Sequence, residues 1–204
     1  MNGLPLGVYG GSFDPPHRMH VQMAQAAIAQ LGLAWLWVLP TPHPGHRQQP
    51  RTPFAHRLAM ARLAFLPLGD RVRVSDLEAQ RQGPTYTVDT LSELKRAHPE
   101  SPLWLLMGAD QAASFHTWHH WEQILELAQL VVMPRAGATT FSSPVMQWHN
   151  DRQRNWVTLR LEPQGFSATQ LRQALPQAIQ APPGLDDPVW AYIQQHHLYQ
   201  DPHE

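Results

Sequence analysis

Apolar residues in this chain gather into short runs, and the runs are separated by stretches in which they recur every three or four positions. Leu4 to Gly10 is a nearly continuous apolar run of strand length and predicts a buried strand. From Pro16 to Leu31, the residues Met19, Met23, Ala26, Ala27 and Leu31 fall at helical spacing. Trp35 to Pro40 predicts a second strand, and Thr41 to Pro50 a loop rich in Pro and His. Thr52-Pro53 reads as a helix cap followed by proline at the first helical position, opening a helix that runs to about Leu66. Val72 to Leu77 alternates as a strand does. Thr87 to His98 then reads as a helix, Leu103 to Met107 as a strand, His119 to Ala128 as a helix and Leu130 to Met133 as a strand. Gly137 to Asn155 is polar without a clear period and predicts a loop. Trp156 to Leu161 suggests one more strand, and Ser167 to Leu175 and Asp187 to Gln195 suggest helices.

Alternation of strands and helices over the first two-thirds predicts an α/β fold, doubly wound around a mainly parallel sheet. A helical C-terminal part, from about 163 to 204, completes it. No linker divides the chain, so one domain is expected over 1–204. In such folds a ligand sits outside the carboxyl ends of the strands, near the point where the strand order reverses.

Composition narrows the partners. The 204 residues carry a formal net charge of −1, and only 15% are charged. That balance offers no electrostatic case for nucleic acid or a membrane surface. No apolar stretch approaches the roughly 18 residues of a membrane helix, and the N-terminus has no secretory pattern. Cysteine is absent, which removes disulfides and thiolate metal sites from consideration. The expectation is a cytoplasmic protein, a monomer or a homodimer.

The candidate chemistry lies directly after the first run, at Gly10-Gly11-Ser12-Phe13-Asp14-Pro15-Pro16-His17-Arg18-Met19-His20. The glycines allow a tight turn and close approach of a ligand to the backbone, and the prolines suit the first turn of a helix. His17 and His20 are spaced i, i+3, so a helix beginning near Pro16 holds both on one face. Backbone amides, a positive helix end and two imidazoles then meet at one point, which suits a polyanion such as a nucleoside triphosphate. Neither the dinucleotide fingerprint nor the Walker pattern is present. Two other readings exist for the pair. One is a capping or core histidine. The other is zinc chelation, for which no third-ligand motif lies nearby.

This segment resembles the G-G-[TS]-F-D-P-x-H-x-G-H signature of the nucleotidyltransferase superfamily. Phe166-Ser167-Ala168-Thr169-Gln170-Leu171-Arg172 resembles its second signature, [IV]-S-[SA]-T-x-x-R. Further points of similarity are Pro84-Thr85-Tyr86-Thr87, Gly108-Ala109-Asp110, Thr117-Trp118 and the ending Tyr192-Ile193 through Leu198-Tyr199. Together they are most similar to the bacterial nicotinate-nucleotide adenylyltransferases, over nearly the whole chain. Met19 stands where the family pattern usually has Gly, and Ser12 where it usually has Thr. On a helix Met19 points away from the face of the histidines, into the core.

The resemblance implies a Rossmann-like nucleotidyltransferase fold. It also implies transfer of AMP from ATP, with Mg²⁺, to nicotinate mononucleotide. The acceptor is already an anionic phosphate, so the task is positioning and charge stabilisation at the α-phosphorus, with no covalent nucleophile. His17, His20 and Arg172 are the candidate catalytic residues. Gly10, Gly11, Ser12, Phe13, Gly108, Asp110, Ser167 and Thr169 join them around ATP. Asp110 either accepts from a ribose hydroxyl, places a hydrated Mg²⁺ or caps a helix; no direct protein ligand to a metal is expected otherwise. For the acceptor, Trp118 is a stacking surface for the pyridine ring. Thr85 and Tyr86 supply amides that favour a carboxylate over a carboxamide, and His46 and Arg47 lie in the loop within reach of a phosphate. Arg57 and Arg135 are further cations without an assigned use. Two alternatives stay open: an adenylyltransferase for another phosphate acceptor, such as nicotinamide mononucleotide or phosphopantetheine, and a nucleotide-binding regulator without turnover.

Overall fold

The computed structural model describes residues 3–43, 52–133, 141–162 and 167–200. In chain order the elements are β1 (Leu6–Gly11), α1 (Arg18–Leu31), β2 (Trp35–Pro40), α2 (Phe54–Phe65), β3 (Val72–Val74), α3 (Thr87–Ala97), β4 (Leu103–Gly108), α4 (Ala109–Ala113), α5 (Trp121–Leu127), β5 (Ala128–Met133), α6 (Ser143–Asp151), β6 (Val157–Thr158), α7 (Ala168–Ala174) and α8 (Asp187–Gln195). The six strands form one sheet in the order β3-β2-β1-β4-β5-β6, and every neighbouring pair is parallel. The order reverses between β1 and β4, so the crevice of this doubly wound sheet opens at the carboxyl ends of those two strands.

Strand residues feed two cores in strict alternation. Leu6 and Val8 of β1, Leu103, Leu105 and Met107 of β4, and Leu130 and Val132 of β5 pack with α3, α5 and α6. Tyr9, Leu36, Val38, Leu106 and Val131 point the other way, onto α1, α2 and α8. A sheet covered on both faces needs apolar residues at successive positions, which is why these strands read as unbroken apolar runs. Leu171 of α7 and Val189 and Ile193 of α8 lie in the same core as Met23 and Phe65, so the C-terminal helices pack on the sheet.

Several boundaries differ from the sequence reading. The polar stretch read as a loop contains α6. Ser142 is its N-cap residue and Pro144 lies in its first turn, while Val145, Trp148 and His149 are buried at helical spacing. With a histidine on the apolar stripe and only nine residues, the period was too short to stand out. The helix expected from His119 starts at Trp121, because His120 adopts a left-handed conformation with φ 50°. The strand from Val72 ends at Val74, and β6 keeps only Val157 and Thr158. The first strand starts at Leu6, past Pro5.

One buried acid lies beside α3. Thr90 Oγ1 donates to Glu78 Oε1 at 2.8 Å, and Arg81 donates to the same hydroxyl at 2.9 Å while pairing with Glu93. Burial pushes the Glu78 carboxyl up to about 7, and the Thr90 hydroxyl and the Arg81 charge offset only part of the shift. A carboxyl raised in the folded state contributes most below its unfolded value, and that contribution is lost as pH climbs through 7. Glu78→Gln is therefore expected to raise stability at pH 8 by about 2–3 kcal/mol at most, from the shift in protonation energy, and to change little at pH 5. Thermal melts at both pH values check this; an equal change at each would contradict it.

Candidate active site

β1 ends on Gly10 and Gly11, and β4 ends on Gly108. None of the three has a positive φ. A Cβ added at Gly10 or at Gly108 would meet no atom within 4 Å. Neither the backbone nor the packing of the protein demands glycine at these two positions. What their lack of a side chain leaves is room, on both sides of the crevice, for a ligand against the main chain.

After Gly11 the chain turns sharply. Phe13 has φ 47°, a left-handed conformation that a bulky residue rarely adopts and that the surroundings must hold in place. Its ring is buried edge-on to Tyr9, Phe65 and His20, with the His20 centroid 5.0 Å away. Phe13 is thus a wedge beneath His20, and its ring does not form an open wall. Its carboxyl-side neighbour Asp14 is also buried, followed by a cis bond to Pro15.

His17 is the N-cap residue of α1 rather than part of its helix, which begins two residues later than Pro16 suggested. The backbone N–H of His17 donates to His20 Nδ1 at 3.1 Å, and the two rings stack with centroids 3.8 Å apart at an interplanar angle of 30°. The capping and phosphate readings of the pair are therefore compatible: the backbone of one residue orients the ring of the other. Because Nδ1 of His20 accepts, the neutral ring carries its proton on Nε2. Burial lowers the His17 pKa to about 4, and burial together with the His17 charge holds His20 well below the usual histidine range. Met19 lies between them in sequence but is buried, as its place on the opposite face of the helix predicts.

The second motif closes on the first. Ser167 caps α7 and accepts from the Gln170 N–H at 3.3 Å. Arg172, in the last turn, donates through Nη2 to Thr169 Oγ1 at 3.2 Å and through Nη1 to the Asp14 carbonyl at 2.6 Å. Two segments 158 positions apart are thereby joined at the turn that carries the histidines. Arg57, left without a use by the sequence reading, is fully buried and donates to the carbonyls of Ser12 at 2.7 Å and Thr52 at 2.9 Å. It is a brace for the turn. Burial lowers its pKa, and the negative charge of Asp14 offsets this in part.

Asp110 is exposed in the first turn of α4, directly beyond Gly108, where a carboxylate is favoured by the helix dipole. Gly108, not Asp110, is the cap of that helix. Among the described residues no three His, Asp or Glu side chains converge into a metal cage.

The acceptor candidates are less open. The Thr85 N–H donates to the His43 carbonyl at 2.9 Å, and Thr85 is buried. Tyr86 is the N-cap residue of α3, its ring lying 4.3 Å from that of His119. Trp118 is only 9% exposed, and its ring lies 5.3 Å from that of Phe115 in the core beneath α5. His46, Arg47 and Arg135 lie outside the described residues. The sequence reading missed a role for Asp14 and for Tyr199, whose hydroxyl donates to Asp14 Oδ1 at 2.5 Å. The available signal was the acid inside the first motif, which had no partner assigned to it.

Comparison with known proteins agrees with this architecture. Residues 8–174 match the family model described as cytidylyltransferase-like. A protein of Albidiferax ferrireducens named "Probable nicotinate-nucleotide adenylyltransferase" is 40% identical over 197 residues, covering 96% of this chain and 98% of its own. One of the same name from Idiomarina loihiensis is 38% identical, covering 94% and 98%. Among solved structures, the Plasmodium falciparum nicotinic acid mononucleotide adenylyltransferase complexed with NaAD superposes with a TM-score of 0.76 at 19% identity, over 96% of this chain and 97% of that one. The all-parallel sheet with its reversal at β1 and β4, the two joined motifs and these full-length relatives place the chain in the cytidylyltransferase-like family, among the nicotinate-nucleotide adenylyltransferases.

Proposed function

We propose that this protein transfers the adenylyl group of ATP to the phosphate of nicotinate mononucleotide, a step of NAD biosynthesis. A phosphate oxygen of the acceptor bonds to the α-phosphorus, the bond from that phosphorus to the bridging oxygen of the β-phosphate breaks, and pyrophosphate leaves with nicotinate adenine dinucleotide as the other product. The observation that carries the reading is the convergence of His17, His20 and Arg172 on one turn at the mouth of the reversal crevice.

His17 and His20 hold the α-phosphate as N–H donors, in a site where burial keeps them neutral before substrate arrives. Charge builds on the non-bridging oxygens of that phosphate as the acceptor attacks, and donors fixed beforehand stabilise it without reorganising. Ser167, Thr169 and Arg172 face the β- and γ-phosphates. Gly10, Gly11, Ser12 and Gly108 give the nucleotide its approach to the main chain. Mg²⁺ enters on the triphosphate, and Asp110 suits it through water, since this ion keeps several waters and takes one or two carboxylates. Thr85, Tyr86 and Trp118 serve the nicotinate side, with His46 and Arg47 near its phosphate. The Thr85 amide serves only after leaving the His43 carbonyl. The chain works as one domain in the cytoplasm, as a monomer or homodimer, with small molecules as its substrates.

The test is an acceptor panel with ATP and Mg²⁺, scored by pyrophosphate release. Nicotinate mononucleotide is expected to exceed nicotinamide mononucleotide by at least about tenfold in kcat/KM, because an amide leaves a donor facing donors. Phosphopantetheine is expected to be inert. A preference for the amide overturns the acceptor assignment, and tight ATP binding with no pyrophosphate from any acceptor overturns the enzymatic reading.

A further inference from the structure

The C-terminal end of the chain reaches back into the site just described. Tyr199 lies four residues past α8, is 6% exposed, and donates its hydroxyl to Asp14 Oδ1 across 185 positions of sequence. Its own backbone has φ 58°, and His197 before it has φ 51°. Neither is glycine, so the tertiary contacts hold this segment in a conformation it would not choose alone. The acceptor of the bond sits next to Phe13, itself held at φ 47°. Left-handed, non-glycine backbone thus occurs on both sides of one buried hydrogen bond.

Asp14 is where four distant segments meet. Its Oδ1 takes the Tyr199 hydroxyl, and its Oδ2 receives the Thr52 N–H at 3.5 Å. Its carbonyl takes Arg172 Nη1 at 2.6 Å. The carbonyls of Thr52 and Ser12 are both held by Arg57. Burial, followed by the negative charge of Asp14, raises the Tyr199 pKa well above its ordinary value, so the phenol is a donor at every working pH. A buried carboxylate needs these donors, and an apolar residue would fill the same space at less cost, so packing alone does not account for an acid here. The geometry points to a different purpose. We propose that Tyr199 is a positioning residue for adenylyl transfer: through its bond to Asp14 it sets the carbonyl on which Arg172 is anchored, and with it the turn that presents His17 and His20.

This inference rests on the proposed function, and it acts through placement. Removing the phenol oxygen leaves a buried carboxylate oxygen short of its donor. Asp14 then relaxes, and Arg172 and the histidine turn shift relative to each other. Small displacements of that kind lower turnover by up to about a hundredfold while leaving ground-state binding of the second substrate nearly intact.

The experiment compares the full-length protein with Tyr199→Phe, Asp14→Asn and the double variant. It measures kcat and both KM values, with thermal melts to show that each variant is folded at the assay temperature. Tyr192→Phe is the control: it removes a phenol on α8 that bonds His56 rather than Asp14, and its kcat is expected to match the parent. The expected result for Tyr199→Phe is a kcat lowered about 10- to 100-fold, with KM for nicotinate mononucleotide within about threefold. The double variant is expected to be no slower than the slower single one, as for two groups acting through one bond. A Tyr199→Phe kcat within twofold of the parent, a loss confined to KM, or losses that multiply in the double variant overturn the proposal. Should Tyr199→Phe not fold, Asp14→Asn decides: parental kcat there overturns it and a loss in kcat supports it. If the parent itself releases no pyrophosphate with any acceptor, it is the function that has failed, and the two failures are told apart.

Discussion

His20→Ala and His17→Ala are each expected to lower kcat by about 10²–10³, the usual cost of removing one preorganised donor from a developing oxyanion, while the protein stays folded. His17 and His20 stack 3.8 Å apart, and burial keeps both neutral well into acid. They can therefore lie this close without mutual charge repulsion, each as an N–H donor. Neutrality also gives the pH dependence its sign. A lowered pKa means that protonation begins only as pH falls toward 4 for His17, so kcat/KM for ATP is expected to show no histidine ionisation between about pH 5.5 and 8. An inflection near the ordinary histidine value of about 6.5 would mean that the rings are solvated in the free enzyme. Because the His17 backbone N–H orients the His20 ring, His17→Ala keeps that amide and removes only the imidazole. The two single losses then report on the two rings separately, and alanine variants with parental kcat would remove the histidines from the mechanism.

Arg172→Ala is expected to reduce kcat/KM for ATP by a similar factor of about 10²–10³, as loss of a charge-assisted donor facing phosphate implies, with KM for the acceptor unchanged. Arg172 does two things at once. One Nη binds the Asp14 carbonyl and the other the Thr169 hydroxyl, which fixes the plane of the guanidinium, and its positive charge is proposed to serve the triphosphate. Arg172→Lys separates these roles, since an ammonium restores charge without the fork. It is expected to recover ATP affinity more than kcat. Steady-state kinetics with ATP varied against saturating acceptor check both variants, and unchanged ATP kinetics in Arg172→Ala would contradict the assignment.

Legibility in the sequence followed the range of the interactions. The strands of the central sheet were readable because a sheet buried on both faces must be apolar at consecutive positions, and the Ser167 cap was readable because capping is a contact over three residues. That His17 and His20 lie side by side was readable from their spacing; the role proposed for them came from the resemblance to the superfamily signature. α6 was not, since its apolar stripe is short and includes His149, which is buried beside Phe141 and Trp156 from outside the helix. Trp118 illustrates the limit from the other side. Its place in the chain suggested a stacking surface for a pyridine ring, and the structure sets the indole beside Phe115 with 9% exposure, a degree of burial that no local pattern gives. The Thr85 amide likewise meets a partner, the His43 carbonyl, that no local pattern reveals.

What the order of residues determined by itself was the alternation that makes a doubly wound sheet, the two motifs and the glycines that leave the crevice open. Each of these depends on neighbours within a turn or a strand. Only the tertiary structure decided that Asp14 would bind Tyr199 and Arg172 and that Arg57 would brace Ser12. Those contacts join segments 45 to 185 positions apart. Their strength comes from burial, which removes water as a competing partner, and burial is a property of the assembled fold.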